Sequence, residues 1–256
     1  MPSDRYARFP SLEGRPVLIT GGATGIGEAL VRAFADQGSK VGFVDIEGEI
    51  GQKLTDELTS KGHSVAFERC DITDIAPLRS SIAALEAKNG STLVLVNNAA
   101  NDTRHPWQDV TPEYWDGRLA VNLRPFFFAI QAVAPGMIAA KQGSIVNFGS
   151  VSWRLKQGGM PGYTASKAAI YGLTRGFATD LGKHGIRVNT LEPGWVMTER
   201  QLTLWITPET EKEIDAGQAL SGRVMPADLA RACLFLASDD SAMMSATVVT
   251  VDGGWS

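Results

Sequence analysis

The feature that most constrains this chain is an alternation. Short apolar runs with strand character, PVLIT (16–20), KVGFVD (40–45), SVAFER (64–69), TLVLVNN (92–98), SIVNFGS (144–150), IRVNTLEPG (186–194) and ATVVTVDGG (246–254), are separated mostly by longer segments with helical periodicity. In GIGEALVRAFADQG, for example, Ile26, Leu30, Ala33 and Phe34 fall on one face and Gly38 ends the run. Parallel neighbours need a crossover of this length, and such crossovers are right-handed, so the pattern predicts an α/β fold: a doubly wound parallel sheet of about seven strands with helices on both faces. No linker or fixed-period repeat interrupts the alternation, and 256 residues suit one large domain, 1–256. The long irregular insertion at about 194–226 reads as a lid with one or two short helices.

Ligands of such sheets bind beyond the carboxyl ends of the strands, and the motifs fall there. TGGATGIG, Thr20 to Gly27, joins the first strand to the first helix. Its glycines permit a tight turn and close approach of backbone N–H groups to a pyrophosphate at the helix's positive end. Asp45 ends the second strand, where a carboxylate accepts hydrogen bonds from ribose hydroxyls and repels a 2′-phosphate, favouring NAD over NADP. Asp71, after the third strand, has two readings: contact with adenine, or capping of the helix near Ile75. Tyr163 and Lys167 stand at i and i+4 and share a helical face, with Ser150 at the end of SIVNFGS at the same sheet edge. A tyrosine with an ordinary pKa of ~10 is too protonated to act as a base unaided, and a neighbouring ammonium favours its phenolate. Pro125 cannot donate to Val121, so the helix over VNLRPFFFAIQAV should bend or open beside Asn122, for packing or for function.

Other classes are disfavoured. With a formal net charge of −4 and no basic cluster, the chain is a poor nucleic-acid binder. No apolar run approaches the ~20 residues of a membrane span, and the amino terminus, MPSDRYARFPSLEG, lacks a signal peptide's apolar stretch. Cys70 and Cys233 read as two reduced, packed thiols, as in a cytoplasmic protein without a metal site.

These motifs together resemble the short-chain dehydrogenase/reductase family, whose fold is Rossmann-like. TGGATGIG resembles its cofactor loop, NNAA (97–100) its Asn-Asn-Ala-Gly motif, Asn122 its helical asparagine, Ser150, Tyr163 and Lys167 its catalytic set, and PGWVMT its Pro-Gly segment. Ala100 departs from the family's glycine. The resemblance implies catalytic roles for Asn122, Ser150, Tyr163 and Lys167. It places a cofactor against Gly21, Thr24, Gly25, Ile26 and Gly27, against Asp45, Asp71 and Ile72, against Asn98 and Ala99, against Tyr163 and Lys167, and against Pro193, Gly194, Val196 and Thr198. In the family, Asn122 supports a water leading from the lysine to solvent. NDTRHPWQDVTPEYWDGRLAVNLR, NFGSVSW, TERQLTLWITPE and GRVMPADLARACLFLASDD are further similar to NAD-dependent D-xylose 1-dehydrogenases and related aldose 1-dehydrogenases. That likeness implies a small-molecule sugar substrate and a homotetramer.

The mouth residues agree with a sugar. Trp107, Trp153, Trp195 and Trp205 lie in segments expected around the reactive end, and an indole face covers the C–H face of a pyranose, although each alone also reads as packing. The neighbouring polar groups are unsuited to a steroid or acyl chain. Substrate contact is expected from Asn101, His105, Ser150, Trp153, Arg154, Tyr163, Trp195 and Gln201. Two alternatives stay open: a dehydrogenase for another polar alcohol or ketone, and a nucleotide-sensing protein without turnover.

Overall fold

The alternation resolves into seven parallel strands in one sheet. The computed structural model describes residues 6–256. In chain order the elements are β1 (Pro16–Thr20), α1 (Gly25–Asp36), β2 (Lys40–Asp45), α2 (Gly48–Ser60), β3 (Val65–Arg69), α3 (Ile75–Asn89), β4 (Val94–Asn97), α4 (Pro112–Asn122), α5 (Arg124–Ala140), β5 (Gly143–Phe148), α6 (Pro161–Gly182), β6 (Ile186–Pro193), α7 (Glu199–Leu204), α8 (Pro208–Gly217), α9 (Pro226–Ala237) and β7 (Val248–Val251). The sheet order is β3-β2-β1-β4-β5-β6-β7. It reverses between β1 and β4, so the crevice of the fold opens above Thr20 and Asn97, which are register partners.

Alternation along each strand builds two cores. Val17 and Ile19 of β1 join Leu30 and Phe34 of α1 and Leu229 and Cys233 of α9 on one face. Leu18 points the other way, to Leu78 and Ile82 of α3 and Ile130 and Met137 of α5. Both faces are covered, which is why the strands read as continuous apolar runs. Each such side chain, fully buried, contributes about 1.5–3 kcal/mol. Cys70 and Cys233 are free and buried in these cores, as expected.

The Pro125 expectation holds. The helix breaks at Leu123 (φ −135°, ψ −54°): α4 ends at Asn122, and Pro125 lies in the first turn of α5, where its missing N–H costs nothing. Taken as one piece, Pro112–Ala140 is long and apolar enough to cross a membrane by composition. Its inward stripe (Phe126, Ala129, Ile130, Val133, Met137) is instead packed against the sheet. One boundary differs from expectation: β5 stops at Phe148, and Ser150 begins a 3-10 turn over Val151–Trp153. The insertion carries two helices, α7 and α8.

Candidate active site

The loop from β1 to α1 has the shape of a cradle. A Cβ on Gly27 would lie 1.6 Å from the Gly21 carbonyl oxygen, and Gly21 has φ +69°, a conformation that side chains disfavour. The turn is therefore as tight as a glycine pair allows. Thr24 stands at the N-cap of α1 without a side-chain cap, so the first-turn N–H groups of that helix remain open to an anion. Asp45 Oδ2 accepts a hydrogen bond from Ala23 N at 2.8 Å and Oδ1 one from Glu47 N at 3.1 Å. The carboxylate thus braces the loop and keeps lone pairs for hydroxyl donors. Asn98 donates from Nδ2 to Thr20 O (3.1 Å) and Gly21 O (2.9 Å), and Thr20 Oγ1 accepts from the N–H of Asn98 and of Ala99. Asn98 stitches β4 to the loop, and Thr20, absent from the expected set, holds the other side of the same seam. Thr198 overhangs the loop: a Cβ on Gly25 would lie 3.2 Å from its Cγ2. Pro193 ends β6 with Gly194 directly after it, and Val196 pairs with Val224 in an isolated bridge, anchoring the start of the insertion. Ile26 packs against the core. These residues fit a dinucleotide. Asp71 is exposed, and Oδ1 accepts from Thr73 N (2.9 Å) and Thr73 Oγ1 (2.7 Å), a turn that leads into α3 beside buried Ile72; Asp74, not Asp71, caps that helix.

Ser150, Tyr163 and Lys167 converge above the ends of β5 and α6. Lys167 is buried, with Nζ donating to Phe148 O at 2.8 Å and lying 5.7 Å from the centre of the Tyr163 ring. Burial lowers its pKa to about 7, against a raising influence from Asp102. Tyr163 is half-buried, and desolvation pushes its phenol well above the usual value. The Ser150 hydroxyl facing it and the Arg104 charge oppose that rise, while Asp102 adds to it. In the protein alone, burial of the phenol outweighs these opposing influences. Asn122, fully buried, accepts from Asn101 N at 2.8 Å and donates to Asn101 O at 3.1 Å. Its side chain fixes the strand of backbone leading to Arg104.

At the mouth the structure divides the expected substrate residues. Trp195 is buried with its Nε1 unpartnered, and its ring stacks on Trp255 at 6.3 Å. His105 faces Tyr114, Nδ1 to the phenolic oxygen 2.9 Å, and its Nε2 is buried without a partner. Gln201 reaches back from α7 to Asp102 Oδ2 (2.6 Å), and Arg200 to Oδ1 (3.2 Å), so the insertion is fastened to the β4–α4 loop. The Asn101 side chain closes a turn onto Thr103. Trp153 and Arg154 lean on a buried carboxylate. Trp153 Nε1 donates to Glu192 Oε1 (3.1 Å), and Arg154 is 3.1 Å from Glu192 Oε2 and 2.6 Å from the Tyr171 hydroxyl. Those nitrogens are held there, while the exposed Trp153 ring lines a cavity with His105.

The chain matches, over residues 21–256, the family described as enoyl-(acyl carrier protein) reductase. It is 45% identical over 249 residues to a probable galactose dehydrogenase of Rhizobium meliloti (97% of each chain) and to a D-xylose 1-dehydrogenase of Caulobacter vibrioides (97% of this chain, 98% of the relative). The chain belongs to the short-chain dehydrogenase/reductase family. A gluconate 5-dehydrogenase from Burkholderia cenocepacia, solved with NADP and tartrate, superposes with a TM-score of 0.90 at 31% identity, covering 96% of this chain and 97% of that one. As a member of this family the protein is an oxidoreductase that uses a nicotinamide dinucleotide.

Within that short-chain dehydrogenase frame, the residue that sequence reasoning missed is Glu192. It is fully buried in β6, immediately before the Pro-Gly segment, and takes hydrogen bonds from Trp153, Tyr171 and, at 3.3 Å, Thr250, beside Arg154. It ties the turn after Ser150 to α6, which carries Tyr163, and to β7. A signal existed: an acidic residue at an inner position of an apolar strand demands buried partners. Arg69 is a second omission. It lies opposite Asp45 in the β2–β3 register and donates to Ile46 O at 3.3 Å, a cation near the expected ribose edge.

Proposed function

We propose that the protein is an NAD-dependent aldose 1-dehydrogenase, oxidising the anomeric hydroxyl of an aldopyranose of the D-xylose, L-arabinose, D-galactose or L-fucose type to the lactone. The observation that carries this reading is the 45% identity, along 97% of the chain, to two relatives named for sugars. The mouth supports it, with indoles of Trp195 and Trp205 beside unpartnered donors. A bound nicotinamide supplies the hydride acceptor. The rest of the chemistry belongs to the chain. Ser150 holds the substrate oxygen, Tyr163 takes its proton, and the buried Lys167 orients the site and adds positive charge. The anomeric hydroxyl, the most acidic on the ring, suits a tyrosine base. The preference for NAD is supported by the Asp45 carboxylate at the end of β2, which would repel a 2′-phosphate.

The whole chain acts as one catalytic domain, with residues 194–226 as its lid. Exposed Trp115 on α4 and Phe127 on α5 offer apolar surface for the homotetramer. Two free, buried cysteines agree with a cytoplasmic location. A second reading, oxidation of a polyol or sugar acid, draws on the likeness to the gluconate 5-dehydrogenase. A silent nucleotide sensor is disfavoured, since it has no use for Ser150, Tyr163 and Lys167 together. The test is a panel of pentoses, hexoses, polyols and sugar acids with NAD, followed by nicotinamide absorbance, with product analysis for the lactone. Turnover of an aldopyranose is expected; activity on polyols or hydroxy acids and on no aldose would reject the sugar reading.

A further inference from the structure

Arg104 stands in the loop after β4, three residues beyond the Asn101 that Asn122 clamps from both sides. Its guanidinium lies between two indoles, 5.0 Å from the Trp205 ring centre and 5.5 Å from that of Trp195. Cation–π contact with two indoles holds the group in place and leaves its N–H edge for hydrogen bonds. Nε is buried without a partner. Among the described residues no carboxylate pairs with Arg104, and the nearby Asp102 is already held by Arg200 and Gln201. A buried guanidinium N–H without an acceptor is costly unless something completes it. It sits beside the loop that leads into α6 and Tyr163: a Cβ on Gly159 would lie 3.8 Å from the Arg104 Cδ.

From this we infer that Arg104 is the specificity-determining residue of the site: its in-plane N–H groups grip two neighbouring oxygen acceptors on the substrate, away from the carbon that is oxidised. Two sources offer that chemistry, a pair of adjacent ring hydroxyls or the carboxylate of a uronate. Either matches the parallel N–H fork, which an ammonium cannot reproduce. The inference rests on the dehydrogenase reading of the site and sharpens its substrate class.

The test compares wild type with Arg104→Met, which keeps an apolar stem between the indoles, and Arg104→Lys, which keeps the charge without the fork. Steady-state kinetics are measured with whichever substrate of the panel the wild type turns over, so that a failed sugar reading and a failed Arg104 assignment give different results. Arg104→Met should raise KM for that substrate at least ten-fold while KM for NAD stays within two-fold. Arg104→Lys should recover only a small part of the loss. With D-galactose and D-galacturonate compared on wild type, a lower KM for the uronate that disappears in Arg104→Met assigns the carboxylate, and the reverse order assigns the hydroxyl pair. The proposal is overturned if Arg104→Met leaves the substrate KM within two-fold of wild type, or if Lys restores it fully. Should the Met variant not fold, an unchanged substrate KM in Arg104→Lys overturns it equally.

Discussion

Replacing Lys167 by methionine should change how stability depends on pH. In the folded protein burial lowers the lysine to about 7, against an unfolded value of 10.5. Because the folded value is depressed, the native state sheds its proton first. Stability is therefore lowest below pH 7, where both states carry the charge, rises as pH passes through 7, and is fully recovered above 10.5. The whole difference, 3.5 units at 1.36 kcal/mol each, is about 5 kcal/mol, and about 2.5 kcal/mol of it falls between pH 6 and 9. Tyr163 does not interfere, since its phenol is raised and stays protonated throughout that interval. The assay is urea unfolding of cofactor-free protein at fixed chain concentration and pH 6, 7, 8 and 9. Subtracting the Lys167→Met curve from wild type cancels the other titrating groups, and losing the bond to Phe148 O shifts the difference by a constant without changing its slope. The difference should move in favour of wild type by about 1 kcal/mol per pH unit above pH 7. A difference flat from pH 6 to 9 would refute the claim that the ammonium is held dry.

Two further outcomes bear on the chemistry and the cofactor. Tyr163→Phe should cut kcat by at least 10³-fold with KM for NAD within a few-fold, because only the proton acceptor is lost; steady-state kinetics retaining a tenth of wild-type turnover would remove Tyr163 from its role. Wild type should use NAD far better than NADP, and Asp45→Ser with Ile46→Arg should narrow or invert the ratio of kcat/KM values; equal efficiency of wild type with both cofactors would mean that Arg69 offsets Asp45 at that edge.

The fold was legible because its signals are local and redundant. Val17, Leu18 and Ile19 announce a strand buried on both faces, and the glycines after Thr20 announce the turn, without reference to any distant residue. The placing of Ser150, Tyr163 and Lys167 was legible for a related reason: one helix sets the last two, and one strand end brings the first to the same edge. The mouth was not. Trp153 and Arg154 look like ligand-binding groups in a loop, and only the fold shows that Glu192, nearly forty positions later, claims both. The clasp of Asp102 by Gln201 and Arg200 was equally out of reach, because α7 meets the β4–α4 loop only in the fold.

The same contrast says where selectivity resides. Polar groups that satisfy one another across the fold, such as the Glu192 cluster and the Asp102 clasp, spend their bonds on each other and so chiefly set shape. Groups left unsatisfied in a dry setting are the ones a substrate completes. At this mouth those are Nε of Arg104 and the indole nitrogens of Trp195 and Trp205, all donors, with the unpartnered Nε2 of His105 beside them. A wall of donors asks for a ligand rich in acceptor oxygens, which a pyranose is and a hydrocarbon is not.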